Sequence, residues 1–243
     1  MPNVGELDRI VVVSPHLDDA VLGCGRLLAA HPGTTVVTVF AGVPPAYPDP
    51  MRPWDVQCGF APGDDVMAAR RAEDRAALAV LGAIPRWLDG IEYSYRPDDL
   101  PETADDVVAR LAPVIEELDP SLVVVPFGLA NPDHDVTHRA CIAIRATHPD
   151  IAWWCYEDTG YKHIPGLLAW RVSGLFRAGL WPTPVAAPVA ADDTAKQAAL
   201  ACYPSQLRAL EDDWHLSAKL AAPAPEQLWR LDAPPPGWEG LSA

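Results

Sequence analysis

The sequence predicts a three-layer α/β fold built on a mainly parallel sheet. Three observations carry that prediction. Short β-branched apolar runs recur along the chain, of the kind that a parallel sheet buries on both faces. The two most apolar of these, I-V-V-V-S-P and S-L-V-V-V-P, each stop at a proline and pass through a polar turn into a helical segment. Those turns hold the chain's most concentrated His and Asp, and open parallel sheets place their sites just beyond the carboxyl ends of strands.

Residues 10–13 read as the first strand, and Pro15 ends its ladder. Asp19 stands where an N-cap would open a helix over 20–30. T-T-V-V-T-V-F, residues 34–40, is a second strand. Residues 43–64 carry Pro, Gly, Tyr and Trp without a period, and a loop of that length predicts a wall or lid for a pocket. Within it, Trp54 and Phe60 are either platforms for a sugar ring or anchors of the loop. Residues 65–81 read as an amphipathic helix closed by Gly82 at C′. Its polar face carries Arg70, Arg71, Glu73, Asp74 and Arg75, with Arg70 and Asp74 spaced as an exposed ion pair. A third strand is expected over 87–91 and a crossover helix over 103–118. A strand over 122–125 and a helix opened by His134 and His138 follow. Residues 151–156 form an aromatic strand ending in E-D-T-G-Y, where Glu157 and Asp158 either bind sugar hydroxyls or serve the turn. Beyond Leu180 the composition turns proline-rich around a helix over 193–201. That tail is expected to wrap a single domain spanning 1–243 rather than to form a second one. Strands alternating with helices in this way predict a Rossmann-like arrangement.

With 243 residues, 49% of them hydrophobic and 21% charged, the chain is long and apolar enough to bury a sizeable core. Its net charge of -15 argues against nucleic acid and anionic membrane surfaces as partners, and favours a neutral or cationic ligand. No apolar run reaches the roughly 18–20 residues that a membrane span needs. The start, M-P-N-V-G-E-L-D, lacks a basic n-region, so no signal peptide is expected. Five cysteines, at 24, 58, 141, 155 and 202, are odd in number and include no C-x-x-C. Buried free thiols in a reducing cytoplasm are the expectation.

The first polar turn holds His16, Asp18 and Asp19 within four residues, half of a divalent-metal site. His16 and Asp19 lie a helical turn apart and can converge on one ion, leaving Asp18 to move protons. Taken alone, the same residues also fit a helix cap and a loop histidine. The second turn, F-G-L-A-N-P-D-H-D-V-T-H, supplies the other half. His134 and His138 have the i,i+4 spacing of two imidazoles sharing a metal, so spacing alone allows a closed four-ligand site.

P-H-L-D-D-A-V-L-G-C-G and N-P-D-H-D-V-T-H resemble the two metal-site motifs of the PIG-L/LmbE-like zinc-dependent N-deacetylases. The likeness continues, in order, through W-D-V-Q-C-G-F to R-R-A-E-D-R-A-A-L-A-V-L-G, then W-C-Y-E-D-T-G-Y and K-Q-A-A-L-A-C-Y-P-S-Q. The resemblance implies Zn²⁺ held by His16, Asp19 and His134, with His138 outside the ligand set. It implies Asp18 as the base that takes a proton from water and returns it to a leaving amine. Two His and one carboxylate leave a position open, as hydrolytic zinc sites do. The substrate implied is the acetamide of an N-acetyl amino sugar in a small conjugate or secondary metabolite. An Arg or Glu on the 65–81 helix becomes a candidate support for the site. One residue departs from the family: the second motif there commonly begins with His, and here it begins with Asn131. An Asn amide can donate a hydrogen bond to an oxyanion but cannot transfer a proton. His138 and His163 are the candidates to replace the missing imidazole. The same residues also admit an amidase acting on another small acylated amine or thiol conjugate, or a non-catalytic protein that kept the fold. A homo-oligomer is left open.

Overall fold

The computed structural model describes residues 8–97, 100–186, 189–190, 192–216 and 226–238. Its strands are β1 (Ile10–Ser14), β2 (Thr35–Thr38), β3 (Ile84–Trp87), β4 (Leu122–Pro126), β5 (Ala152–Tyr156), β6 (Trp181–Val185) and β7 (Leu228–Asp232). They form a 7-stranded sheet in the order β3-β2-β1-β4-β5-β7-β6. The first five run parallel, and β7 and β6 add antiparallel strands at one end. Every residue of β1 and β4 is buried, which is why both read as unbroken apolar runs.

The helices are α1 (Asp19–Ala30), α2 (Pro53–Gln57), α3 (Val66–Val80), α4 (Ala104–Leu118), α5 (Pro132–Thr147), α6 (Leu167–Arg177), α7 (Thr194–Leu200) and α8 (Pro204–Trp214). One face of the sheet packs Val12, Val124 and Tyr156 against Leu27 of α1, Leu78 of α3 and Ala199 of α7. The other packs Val11, Val13 and Val125 against Leu111 and Ile115 of α4 and Ile144 of α5. Two helical layers thus enclose the sheet, the three-layer arrangement expected. From β1 the chain winds outward to β2 and β3, whereas β4 and β5 lie on its other side. The crevice beyond the carboxyl ends of β1 and β4 is therefore a topological switch point.

α1 is broken at its middle. Cys24 is non-helical (φ −131°, ψ 15°), so the Leu22 carbonyl accepts from Lys196 Nζ (2.7 Å) and Thr159 Oγ1 (3.0 Å) instead. The Arg26 and Leu27 amides donate to the Glu226 carboxylate, at 2.8 and 3.3 Å. Gly23 and Gly25 make the break compact. A Cβ at Gly23 would lie 2.4 Å from the Tyr156 ring, and one at Gly25 2.7 Å from the Lys196 side chain.

Several expectations shift. The third strand is Ile84–Trp87, not 87–91. It is a sheet edge with Pro85 in its ladder, and its weak apolar signal follows from that exposed position. Residues 88–91 instead run past β2's end, where Asp89 bridges Phe40. The 43–64 loop contains α2, opened by Pro53 in the first turn. Gly82 does close α3 with a positive φ of 67°. The proline-rich segment beyond Leu180 does more than wrap the core: it supplies α7, α8, β6 and β7, and β7 returns to pair beside β5. β6 was hidden because Pro182 and Pro184 argue against a strand, yet its edge position tolerates them. Residues 1–7, read as lacking a leader, and parts of the tail (217–225, 239–243) lie outside the described residues. The five cysteines are free thiols, four of them buried. No described helix is long and apolar enough to cross a membrane.

Candidate metal centre

Ser14, the last residue of β1, ties down the first turn. Its hydroxyl donates to the His16 carbonyl (2.6 Å) and accepts from the Ala20 amide (3.0 Å). The His16 amide donates to Asp19 Oδ2 (2.9 Å), which brings His16 Nδ1 to 3.3 Å from the same oxygen. The second turn leaves β4 and enters α5 through Asn131, whose Oδ1 caps the helix by accepting from the Asp133 amide (2.8 Å). His134, in that first turn, places Nε2 3.2 Å from Asp19 Oδ2.

His16, Asp19 and His134 each present one ligand atom, all within 4.8 Å of one another, and the two rings lie 5.1 Å apart. Bonds of about 2.0–2.2 Å at tetrahedral angles put donor atoms roughly 3.3 Å apart. The two His–Asp19 separations meet that spacing, so the donor set fits a divalent ion. Each imidazole also has its far nitrogen on a carboxylate. His16 Nε2 lies 3.1 Å from Asp133 Oδ2, and His134 Nδ1 lies 2.5 Å from Asp158 Oδ1. Such partners fix which nitrogen faces a metal. Asp133 is itself held by Arg96 (2.6 Å) and the Tyr93 amide (2.9 Å), and Arg96 lies over the Phe40 ring.

The electrostatics favour a cation here. Burial alone would lower the His134 pKa, but the Asp19 and Asp158 carboxylates outweigh it and raise it to about 9. Burial lowers His16 too, and Asp133 and Asp19 carry it well above its ordinary value. Asp18 lies buried in the same cleft. Burial and the Asp19 charge push its carboxyl up to about 8, against the pull of Arg70 and His16. Arg70 does not make the exposed pair with Asp74 that its spacing suggested. Both residues are buried: Arg70 pairs with Glu92 beside Asp18, while Asp74 accepts from Trp87 Nε1 (2.7 Å) and Tyr203 Oη (2.8 Å). Part of the α3 face that looks solvated in sequence is covered by the C-terminal segment, where Ser205 Oγ donates to Glu73 (2.6 Å), while Arg75 stays exposed.

The cleft above the cluster has a volume of about 260 Å³ and is walled by Trp54, Tyr93, Asn131, Tyr161 and Gln206. Trp54 on α2 is thus in the wall, its Nε1 donating to Gln206 Oε1 (3.3 Å), whereas Phe60 does not line it. The structure moves the other two substrate candidates elsewhere. Asp158 is 2% exposed and stands behind His134, and Glu157 is occupied by Trp229 Nε1 (3.0 Å) and Lys162 Nζ (3.1 Å) outside the cleft. Neither carboxylate is free for sugar hydroxyls, because each is taken up by a side chain of the protein itself. His138 is buried with Nδ1 donating to the Pro126 carbonyl (2.9 Å), apart from the ligand cluster. His163 lies with Glu157 and Lys162 beyond the cleft wall. Neither replaces the missing imidazole. Sequence reading missed Asp133, Arg96, Glu92 and Tyr161. Asp133 and Tyr161 carried a signal, since they lie inside the quoted stretches N-P-D-H-D-V-T-H and W-C-Y-E-D-T-G-Y.

The family model described as PIG-L, GlcNAc-PI de-N-acetylase, matches residues 11–145, more than half of the chain. No curated protein matches. Among solved structures, the chain is similar to the A40926 pseudoaglycone deacetylase Dbv21. The two are 29% identical, over 94% of this chain and 98% of that one, with a TM-score of 0.74. A deacetylase triple mutant from teicoplanin biosynthesis is 28% identical over 93% and 98%, TM-score 0.76. The zinc-inhibited form of teicoplanin deacetylase Orf2 is 25% identical over 93% and 98%, TM-score 0.76. The matched segment contains both ligand turns, and the likeness in fold extends over nearly the whole chain. The chain therefore belongs to the PIG-L family and is a hydrolase acting on amide bonds.

Proposed function

We propose that this protein is a zinc-dependent N-deacetylase that hydrolyses the acetamide of an N-acetyl amino sugar carried on a small secondary metabolite. The observation that carries the reading is the convergence of His16, Asp19 and His134 at the switch point with Asp18 in the same cleft. The relatives' descriptions as deacetylases of A40926 pseudoaglycone and of the teicoplanin pathway support the substrate class. Trp54 and Tyr93 give the cleft aromatic faces suited to a sugar ring.

His16, Asp19 and His134 would hold the ion. When bound, it supplies a Lewis acid that polarises the acyl carbonyl and acidifies water. The rest is done by side chains. Asp133 and Asp158 keep the two imidazoles aimed inward. A carboxylate oxygen of Asp18 takes the proton of the attacking water and hands it to the departing amine nitrogen as the C–N bond breaks. The buried Arg70–Glu92 pair beside Asp18 limits where that carboxylate can turn.

The test combines metal analysis with acetate release from a panel of N-acetylglucosamine conjugates. We expect about one ion per chain, loss of turnover on chelation, and recovery with Zn²⁺, Co²⁺ or Fe²⁺ at one equivalent. Zinc is also titrated to excess, because one relative is described in a zinc-inhibited form. Full turnover by the fully chelated protein would overturn the proposal.

A further inference from the structure

Asn131 stands where the family commonly has an imidazole, and its surroundings show what takes over. Its Oδ1 accepts the Asp133 amide as the cap of α5. That bond fixes the flip of the side-chain amide, so the donating Nδ2 is the end turned away from the helix. The same side chain is bonded to the Tyr161 hydroxyl. The Asn131 bond pulls against the burial that raises the Tyr161 phenol, as a bond donated to the phenol oxygen does, so Nδ2 donates and Tyr161 Oη accepts. A hydroxyl that accepts one hydrogen bond becomes a better donor through its own proton.

Tyr161 is well placed to use that proton. Its ring sits edge-on to His134 with centroids 5.3 Å apart, and it lines the cleft with His16, Asp18 and His134. The short turn that carries it is the one that carries Asp158, and the Lys162 amide closes the turn on the Asp158 carbonyl (3.0 Å). One turn thus aims a ligand imidazole and presents a phenol beside it. Three other polar side chains of the wall are engaged. Arg70 is on Glu92, and Thr159 Oγ1 is on the Leu22 carbonyl. The Gln206 amide is taken up by Trp54, Cys58 and Ser205.

We propose that Tyr161 donates a hydrogen bond to the acyl oxygen as it gains charge, and that Asn131 holds it in that role. This rests on the deacetylase reading above. It assigns Asn131 to positioning and Tyr161 to contact with the reacting oxygen.

Three measurements test it. In Tyr161→Phe, kcat should fall about 10²–10³-fold, the size of one lost oxyanion donor, with KM and metal content little changed. Asn131→Asp keeps an oxygen for the helix cap but turns an acceptor toward Tyr161, drawing its proton away from the cleft. That variant should lose a similar factor while keeping its metal, and the double variant should be no slower than either single one. The third measurement needs no turnover. Methylphosphonate, a tetrahedral anion resembling the hydrated acetyl group, is titrated by calorimetry into metal-loaded protein. Tyr161→Phe should weaken it about 10-fold or more, the cost of one charge-assisted bond. Unchanged kcat in Tyr161→Phe, multiplicative losses in the double variant, or equal methylphosphonate affinity would each overturn the proposal. If the wild type released no acetate from any conjugate, the deacetylase reading would fall, and the calorimetric result would still decide the donor role of Tyr161.

Discussion

His134 is gripped from both sides, by Asp19 at Nε2 and by Asp158 at Nδ1. Asp158→Ala should leave the three ligands in place but free the ring to turn. Metal affinity should then drop about 10–100-fold in competition with a chromogenic chelator. An unchanged affinity would mean that the imidazole is oriented by packing alone. Asp18→Asn should behave in the opposite manner, keeping the metal and losing about 10²–10⁴-fold in kcat. If its turnover matched wild type, the proton would have to travel by another residue. At this scale the sequence was partly legible. His16, Asp18, Asp19 and His134 stood out because metal-ligand types crowd two strand ends. The supporting roles of Asp133 and Asp158 did not, because a carboxylate in a turn looks the same whether it meets water or an imidazole. Only the approach of residues far apart in sequence makes it a support.

The elements carry their own predictions. The break in α1 depends on Lys196 and Glu226, a buried pair at 2.7 Å that serves the helix's stranded carbonyl and amides. Glu226→Ala should leave a buried ammonium without its counter-charge and cost about 3–5 kcal/mol in urea unfolding. On α5, burial, helped by the Arg171 charge, lowers the His138 imidazole to about 4, below its usual value near 6.5. The folded state therefore holds His138 neutral while the unfolded chain takes up a proton. That contribution is complete above pH about 6.5 and is lost as pH falls toward 4, reaching roughly 2 kcal/mol by pH 5. Wild type should lose that much more stability between pH 7 and 5 than His138→Asn, whose amide can still donate to the Pro126 carbonyl. Equal losses would show that His138 is not the titrating group. β1, β4 and the capped helices were readable because burial on both faces and cap chemistry leave local marks. β3 was displaced by several residues and β6 was missed, since edge strands are specified by their neighbours more than by their own composition.

Over the whole molecule, the alternation of strand and helix that builds the parallel core was legible, but its order across the sheet, β3-β2-β1-β4-β5, was not, since it depends on which way each crossover turns. At the antiparallel end, β7 comes last in sequence yet lies between β5 and β6. A chain ending before Leu228 should therefore expose the β5 edge and fail to seat β6, which is measurable as light scattering at a temperature where full-length protein stays clear. The same arrangement sets a problem of timing. On a ribosome, Trp181–Val185 emerges before Leu228–Asp232, the strand it pairs with. At about 5–20 residues per second the interval is roughly 2–9 s. During it, an apolar edge waits with no strand to join. Pro182 and Pro184 lack amide donors, and as alternate residues both fall on the same edge of β6. The prolines that disguise the strand in the sequence thus make it a poor template for a neighbouring nascent chain.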